Sequence, residues 1–150
     1  MDNILSWIIW IPIIGMVAIG FVPRNQDNLI KKIAAVTTGI QLLVAVMLWI
    51  TFDATDGSFQ FMERAEWIPS LGIAYILGID GLSLPMVALN ALIAFLGIFV
   101  SWNIDRAVKG YFALFLLLDT GIMGVFLSLD FFLFYIFWEV LSLTMYFLIG

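Results

Sequence analysis

Two carboxylic acids interrupt runs of the chain that are otherwise apolar: Asp119 and Glu139. An ionised, unpaired carboxylate in the middle of a lipid bilayer costs several kcal/mol, and intramembrane acids therefore mark ion or proton pathways by default. The cost falls when the acid takes a proton, so a side chain of this type at this depth is suited to carrying one. The surroundings of the two acids differ. Asp119 is followed by Thr120, Gly121 and Gly124, small residues that let a neighbouring helix approach. Glu139 lies in Phe137-Trp138-Glu139-Val140-Leu141-Ser142, with Thr144 and Tyr146 beyond. Ser142, three residues on, shares a helix face with Glu139 and offers a hydroxyl to an acid or a water. Glu139 and Asp119 are the candidate proton-transfer residues. A plainer account stays open, in which each acid only bonds a neighbouring helix. Asn90 and Gln41 read as interhelical hydrogen-bond partners, and Asp105 with Arg106 as a solvated loop pair.

The donor set excludes much other chemistry. The chain has no Cys and no His. Disulfides, thiolate zinc sites, iron–sulfur clusters, His-ligated haem and Ser-His-Asp triads have no ligands or nucleophiles to draw on. No metal site and no bound cofactor are expected in this chain. With a net charge of −5 and no basic stripe, nucleic acid is excluded as a partner.

The elements that must position the acids follow from hydropathy. Hydrophobic residues make up 64% of the 150 residues and charged ones 11%, and mean hydropathy is +1.14. Soluble domains sit near ~45–50% apolar and ~25% charged. Five stretches approach the roughly 20 residues that cross a bilayer: approximately 4–22, 33–52, 82–102, 110–129 and 131–150. Backbone groups in lipid must bond internally and these runs do not alternate, so the spans are α-helices rather than barrel strands. The fold class is an all-α polytopic membrane protein. The first run has Asp2 and no Lys or Arg before it, unlike a cleaved signal, and carries Pro12 as an expected kink.

Two connections, 23–32 and 103–109, hold Arg24, Lys31, Lys32, Arg106 and Lys109, five of the six basic residues. The positive-inside rule places both in the cytoplasm, with the N-terminus outside. The acidic connection 53–81 then lies outside as a surface layer over the helix ends. Ser58-Phe59-Gln60-Phe61 alternates like a short strand, a β-hairpin fits there, and 67–72 reads as a turn over a buried aromatic. Asp80 and Asp130 are placed to cap the third and fifth helices, with Pro85 tolerated in the first turn of the third. Trp7, Trp10, Trp49, Trp67 and Trp102 form the interfacial belt. Asp119 lies ~15 Å and Glu139 ~12 Å from the outer ends of their helices at ~1.5 Å per residue. Joined by a short turn, these two helices are antiparallel neighbours, and the acids can face each other or a shared polar channel. The chain stops while still apolar, which suits a single membrane domain that is incomplete at its C-terminus.

Residues 65–84 read AEWIPSLGIAYILGIDGLSL before Pro85, and residues 116–150 read LLLDTGIMGVFLSLDFFLFYIFWEVLSLTMYFLIG. In this combination and order, the WIPxLGI, LGIDGLSLP and FWE segments resemble the M-type (chain 4) antiporter-like membrane subunit of respiratory complex I, the proton-pumping NADH:quinone oxidoreductase. The likeness covers essentially the whole chain, and implies the first third of an antiporter-like helical bundle. It implies a proton-translocating membrane-arm subunit of that translocase, with no redox centre of its own. NADH, FMN, iron–sulfur clusters and quinone belong to partner subunits. Glu139 matches the family's fifth-helix glutamate, which pairs with a lysine on a later helix; Asp119 falls where the family often has an acid, commonly Glu. No Lys lies in any predicted span here, so the partner lysine must come from elsewhere. The implied partners are the other membrane-arm subunits, lipid and protons, and the implied location is a bacterial inner membrane rather than a mitochondrial one. Cation/proton antiporter and membrane-bound hydrogenase subunits share the glutamate and form the alternative.

Overall fold

The computed structural model describes residues 4–23, 25–52, 60–68, 70, 73–103 and 108–149. The order is α1 (Ile4–Gly20), α2 (Asp27–Thr51), β1 (Gln60–Ile68), β2 (Ile73–Ile79), α3 (Ser83–Val100) with a 3-10 turn at Ser101–Asn103, α4 (Val108–Leu127) and α5 (Phe131–Ile149). Four of the helices, α2 to α5, are long and apolar enough to cross a membrane, and α1 is a shorter apolar helix. Its 17 residues rise roughly 25 Å, somewhat less than a ~30 Å hydrocarbon core.

Two boundaries differ from the sequence-based expectation. Helix α2 begins at Asp27 rather than at 33, so Lys31 and Lys32 are helical and not in a loop. Lysine is a good helix former whose stem runs along apolar surface while its ammonium reaches water, so the charge does not stop the helix. Asp27 in the first turn complements the positive end of the helix. Lys109 likewise lies in the first turn of α4 rather than in the preceding loop. Arg24, Asp105 and Arg106 lie outside the described residues, as do Pro69, Leu71 and Gly72 of the 67–72 turn, whose first two residues belong to β1 instead. So do Ser58 and Phe59 of the strand motif and the side chain of Trp67.

The external connection does contain an antiparallel hairpin, longer than the four-residue alternation foretold. Strands β1 and β2 pair from Gln60↔Ile79 to Ile68↔Ile73 with two irregularities in register. The hairpin sits on the bundle. Leu129 N donates to Ile76 O at 2.9 Å, and Leu77 bridges Ser128. The Tyr75 hydroxyl meets Ser6 Oγ at 2.9 Å and accepts from Trp10 Nε1 at 3.0 Å. One end of the bundle therefore carries the hairpin, the start of α1, the end of α4 and the start of α5. At the opposite end Lys109 Nζ donates to Gly20 O, at the end of α1, and to Val22 O just beyond it.

Packing divides into two apolar clusters along the bundle. The hairpin-end cluster includes Leu5, Ile8, Leu48, Leu77, Val87, Met123 and Leu127. The basic-end cluster includes Ile19, Ile30, Ile98, Phe112 and Leu116. Helix α4 is central and touches α1, α2, α3 and α5, whereas α5 packs on α4 and β2 and leaves most of its surface outward.

Glycines set the α4–α5 distance. A Cβ on Gly121 would lie 3.0 Å from Leu141 N, and one on Gly124 would enter the Phe137 ring. Gly124→Leu is therefore expected to separate the helices. Overpacking costs about 1–3 kcal/mol, and the subunit's level in purified membranes should drop several-fold. Gly110→Ala, where nothing lies within 4 Å, is the control. Equal membrane levels for the two variants would refute the close approach.

Both predicted caps form. Asp130 Oδ2 accepts from Leu133 N at 3.1 Å. Asp80 Oδ1 accepts from Ser83 N at 2.9 Å, Ser83 Oγ at 3.0 Å and Leu82 N at 3.1 Å. These bonds, that from the Ser83 backbone foremost, hold the Asp80 carboxyl below the usual aspartate range. A carboxyl so lowered stabilises the fold above its unfolded pKa, and the contribution is lost as pH falls through the lowered value. Asp80→Ala should cost about 1 kcal/mol at neutral pH, the ordinary worth of an N-cap. In detergent melts the deficit should shrink on acidification below about pH 4. A deficit that does not change with pH would count against the carboxylate as its source.

Candidate functional site

Between the two apolar clusters lies a thin polar layer. On α1 it is marked by Pro12 and Gly15, and on α2 by Thr37, Thr38 and Gln41. Asn90 supplies it on α3, and Asp119 and Thr120 on α4. Gln41 and Thr38 have no exposed surface, and Asp119 is 3% exposed.

The layer is organised around a defect in α1. Proline has no amide hydrogen, so Pro12 leaves the carbonyl of Ile8 without its helical donor. The helix nonetheless continues from Ile4 to Gly20, and neighbouring helices bond the carbonyls at this point, α2 supplying the one donor that Pro12 lacks. Gln41 Nε2 donates to Ile8 O at 2.7 Å from α2. Thr120 Oγ1 donates to Ile9 O at 2.9 Å from α4. In lipid, where no water competes, a proline is tolerated where neighbouring side chains re-satisfy the freed carbonyls. Gly15 lets Thr37 of α2 pack directly against α1 at the next turn.

Asp119 belongs to this layer. Asn90 Nδ2 donates to its Oδ1 at 2.9 Å. Asp119 Oδ2 and Gln41 Oε1 are buried without a hydrogen-bond partner among the described residues. The sequence reading of Asn90 and Gln41 as interhelical partners holds. It read Thr120 only as a small residue at a helix contact and did not connect Gln41 with Pro12; the signal was present, since a mid-helix proline implies an orphan carbonyl four residues earlier.

Glu139 lies elsewhere. It is exposed on α5, together with Tyr135, Ser142 and Tyr146, residues that follow one another at helical spacing on one face. Thr144 is buried and turns back to Val140 O. Each acid is eight residues from the hairpin-end terminus of its helix, or roughly 12 Å at 1.5 Å per residue. They share a depth but not a site: Asp119 is enclosed by α1, α2 and α3, and Glu139 points out of the bundle. The expectation that they face each other or share a channel within this chain is therefore corrected. Helix α4 turns Asp119 to the side that also packs α1, and α5 covers the glycine side of α4.

No group of three acidic residues able to hold a metal ion is found among the described residues.

No protein-family model matches the chain. NADH-quinone oxidoreductase subunit M of Escherichia coli strain K12 is 38% identical over 98% of this chain. NADH-ubiquinone oxidoreductase chain 4 of Arabidopsis thaliana is 36% identical over 97% of it. This chain is a homologue of subunit M (chain 4). It spans 30% of the length of these curated relatives. Among solved structures, a chain of the membrane-bound sulfane sulfur reductase, an archaeal respiratory membrane complex, matches with a TM-score of 0.75. At 21% identity over 95% of this chain and 22% of the other, that likeness shows a shared fold. A subunit M homologue with these helices is a multi-pass membrane protein, as hydropathy foretold. Asp119 and Glu139 are thus the two carboxylic acids within the helices of its α4–α5 pair.

Proposed function

We propose that this chain is the N-terminal five-helix portion of a proton-translocating membrane-arm subunit of NADH:quinone oxidoreductase, with Asp119 and Glu139 as its proton-transfer acids. The observation that carries the reading is Asp119: a carboxyl enclosed at mid-depth, held on one oxygen by Asn90 and facing no basic side chain in the described core. A bundle built only for stability has no use for such a group, since an apolar residue of equal size serves as well. An acid kept there is suited to binding and releasing a proton.

Glu139 supplies the second position. Its outward face on α5 leaves it free to meet a cation brought by a helix outside this bundle, and the likeness to the family supplies a lysine on a later helix. NADH, FMN, the iron–sulfur clusters and quinone reside in partner subunits, and this chain has neither Cys nor His to ligate a cluster. The remaining membrane-arm subunits are its neighbours, in a bacterial inner membrane.

Inverted membrane vesicles carrying the assembled complex test the reading. NADH-driven acidification of the lumen is expected, and should depend on both acids in variants that retain electron transfer. Sodium-dependent proton exchange without NADH oxidation would replace this reading by that of a cation/proton antiporter.

A further inference from the structure

Helices α2 and α3 touch at mid-depth and part toward the hairpin end. At the touching level a Cβ on Gly39 of α2 would lie 3.3 Å from the Phe95 ring of α3. Beyond it the two helices leave a slot of about 420 Å³ between them. Its α2 wall runs from Leu42 to Ile50, and Ala88 and Leu92 form its α3 wall. Ala45, with almost no exposed surface, lies at its floor. Alanine at 45 and 88 leaves room that a larger side chain would fill.

Size and lining decide what the slot can hold. From Leu42 to Ile50 the helix rises roughly 12 Å, close to the ~15 Å of hydrocarbon in one leaflet of a ~30 Å core. A transmembrane helix, roughly 10–12 Å across, would displace about twice the slot's volume or more over that length, so no helix enters it. A single extended hydrocarbon chain is slender enough. Every lining side chain is aliphatic or aromatic. The outward positions beside the slot, Leu43 and Met47 on α2 and Leu89 and Ile93 on α3, are apolar as well, so the slot is continuous with a surface suited to lipid. Among the described residues, the outward polar groups at mid-span are instead on α5, at Tyr135, Glu139 and Ser142. Polar side chains at that depth call for a protein neighbour, which marks α5, and not the α2–α3 face, as the side that meets further helices.

The mouth of the slot is also informative. Trp49, half exposed, stands at its hairpin end, the interfacial level where an indole meets both acyl chains and polar ester groups. No basic residue lies there among the described side chains: Lys31 and Lys32 are at the other end of α2, and Lys109 is in the first turn of α4. An anionic headgroup therefore gains nothing over a zwitterionic one.

We propose that this slot binds one acyl chain of a phospholipid from the hairpin-side leaflet, selecting the chain and not the headgroup. A chain in the slot touches protein on three sides, whereas a chain against the flat face beside it touches on one. The added dispersion contacts are individually small and sum over the length of the chain, so the seated chain exchanges more slowly than its neighbours.

The test uses the assembled complex in liposomes, photolabelled with a phosphatidylcholine that carries a diazirine midway along one acyl chain. The phosphatidylglycerol analogue is used in parallel, and adducts are mapped by peptide mass spectrometry. Adducts on Ala45, Ala88 and Leu92 should exceed those on the outward Leu43, Leu89 and Ile93 about threefold or more, the scale that a few added dispersion contacts give. The excess should be alike for the two headgroups. Ala88→Phe, which fills the slot, should abolish the excess at Ala45 and Leu92 while the complex assembles and pumps normally. Where Ala88→Phe does not assemble, Leu92→Trp narrows the slot from its exposed rim and carries the same expectation. Slot labelling no higher than that of the outward positions overturns the site. Protection of both sets of residues, the mark of a covering helix, overturns it as well, and a strong excess for phosphatidylglycerol alone overturns selection by the chain.

Discussion

Glu139→Gln in the assembled complex is expected to lower NADH-driven proton pumping about tenfold or more, the scale on which a positioned proton-transfer group contributes. Subunit levels in the membrane should stay unchanged. The two halves of this expectation have separate causes. Glu139 is exposed on α5, so within this five-helix portion no packing depends on it, and glutamine preserves its size and hydrogen-bonding oxygen. What glutamine removes is the ability to bind and release a proton and to pair with a cation brought by a later helix. Acidification of inverted vesicles, normalised to assembled complex, reads the first effect, and immunodetection of the subunit reads the second. Wild-type pumping by Glu139→Gln would sink its role as a proton-transfer acid. Loss of the subunit from the membrane would mean that Glu139 serves assembly.

The helices and their order were legible because lipid leaves the backbone one economical solution over runs of this length. The caps at Asp80 and Asp130 were legible for a local reason, a side-chain acceptor one turn ahead of orphan N–H groups. The start of α2 was not, since Lys31 and Lys32 read as loop charges although their stems suit a helix entering the interface. The facing of the acids was also hidden. Helices α4 and α5 are apolar nearly all round, and a helix without a polar stripe carries no record of which side turns inward. Only tertiary packing assigns Asp119 to the core and Glu139 to the outside. Glycine spacing held half of that information: Gly121 and Gly124 mark the α5-facing side of α4, and Thr120 lies on the side that reaches Ile9 O of α1.

Asp119→Asn is expected to lower pumping about fivefold, less than Glu139→Gln, with assembly again preserved. Asparagine keeps an oxygen to accept from Asn90 Nδ2, so the polar layer retains that bond while losing its titratable group. Asp119→Leu removes the acceptor altogether and leaves the buried Asn90 amide unpaired. That variant should lose about 1–3 kcal/mol of stability and show a reduced subunit level as well as reduced pumping. The contrast between Asn and Leu therefore separates proton carriage from helix bonding: if both variants lose pumping only in proportion to lost subunit, Asp119 is structural. The pair Asp119→Asn and Glu139→Gln tests the separation of the two sites. Were the acids in contact, either could take over the other's proton and the combined loss would depart from the product of the single losses. Enclosed on α4 and outward on α5, they share no partner, and effects at independent positions combine without a coupling term. The double variant should then pump at close to the product of the two single-variant fractions, measured in vesicles at matched complex content. A double variant no worse than Glu139→Gln alone would place both acids on one obligatory step.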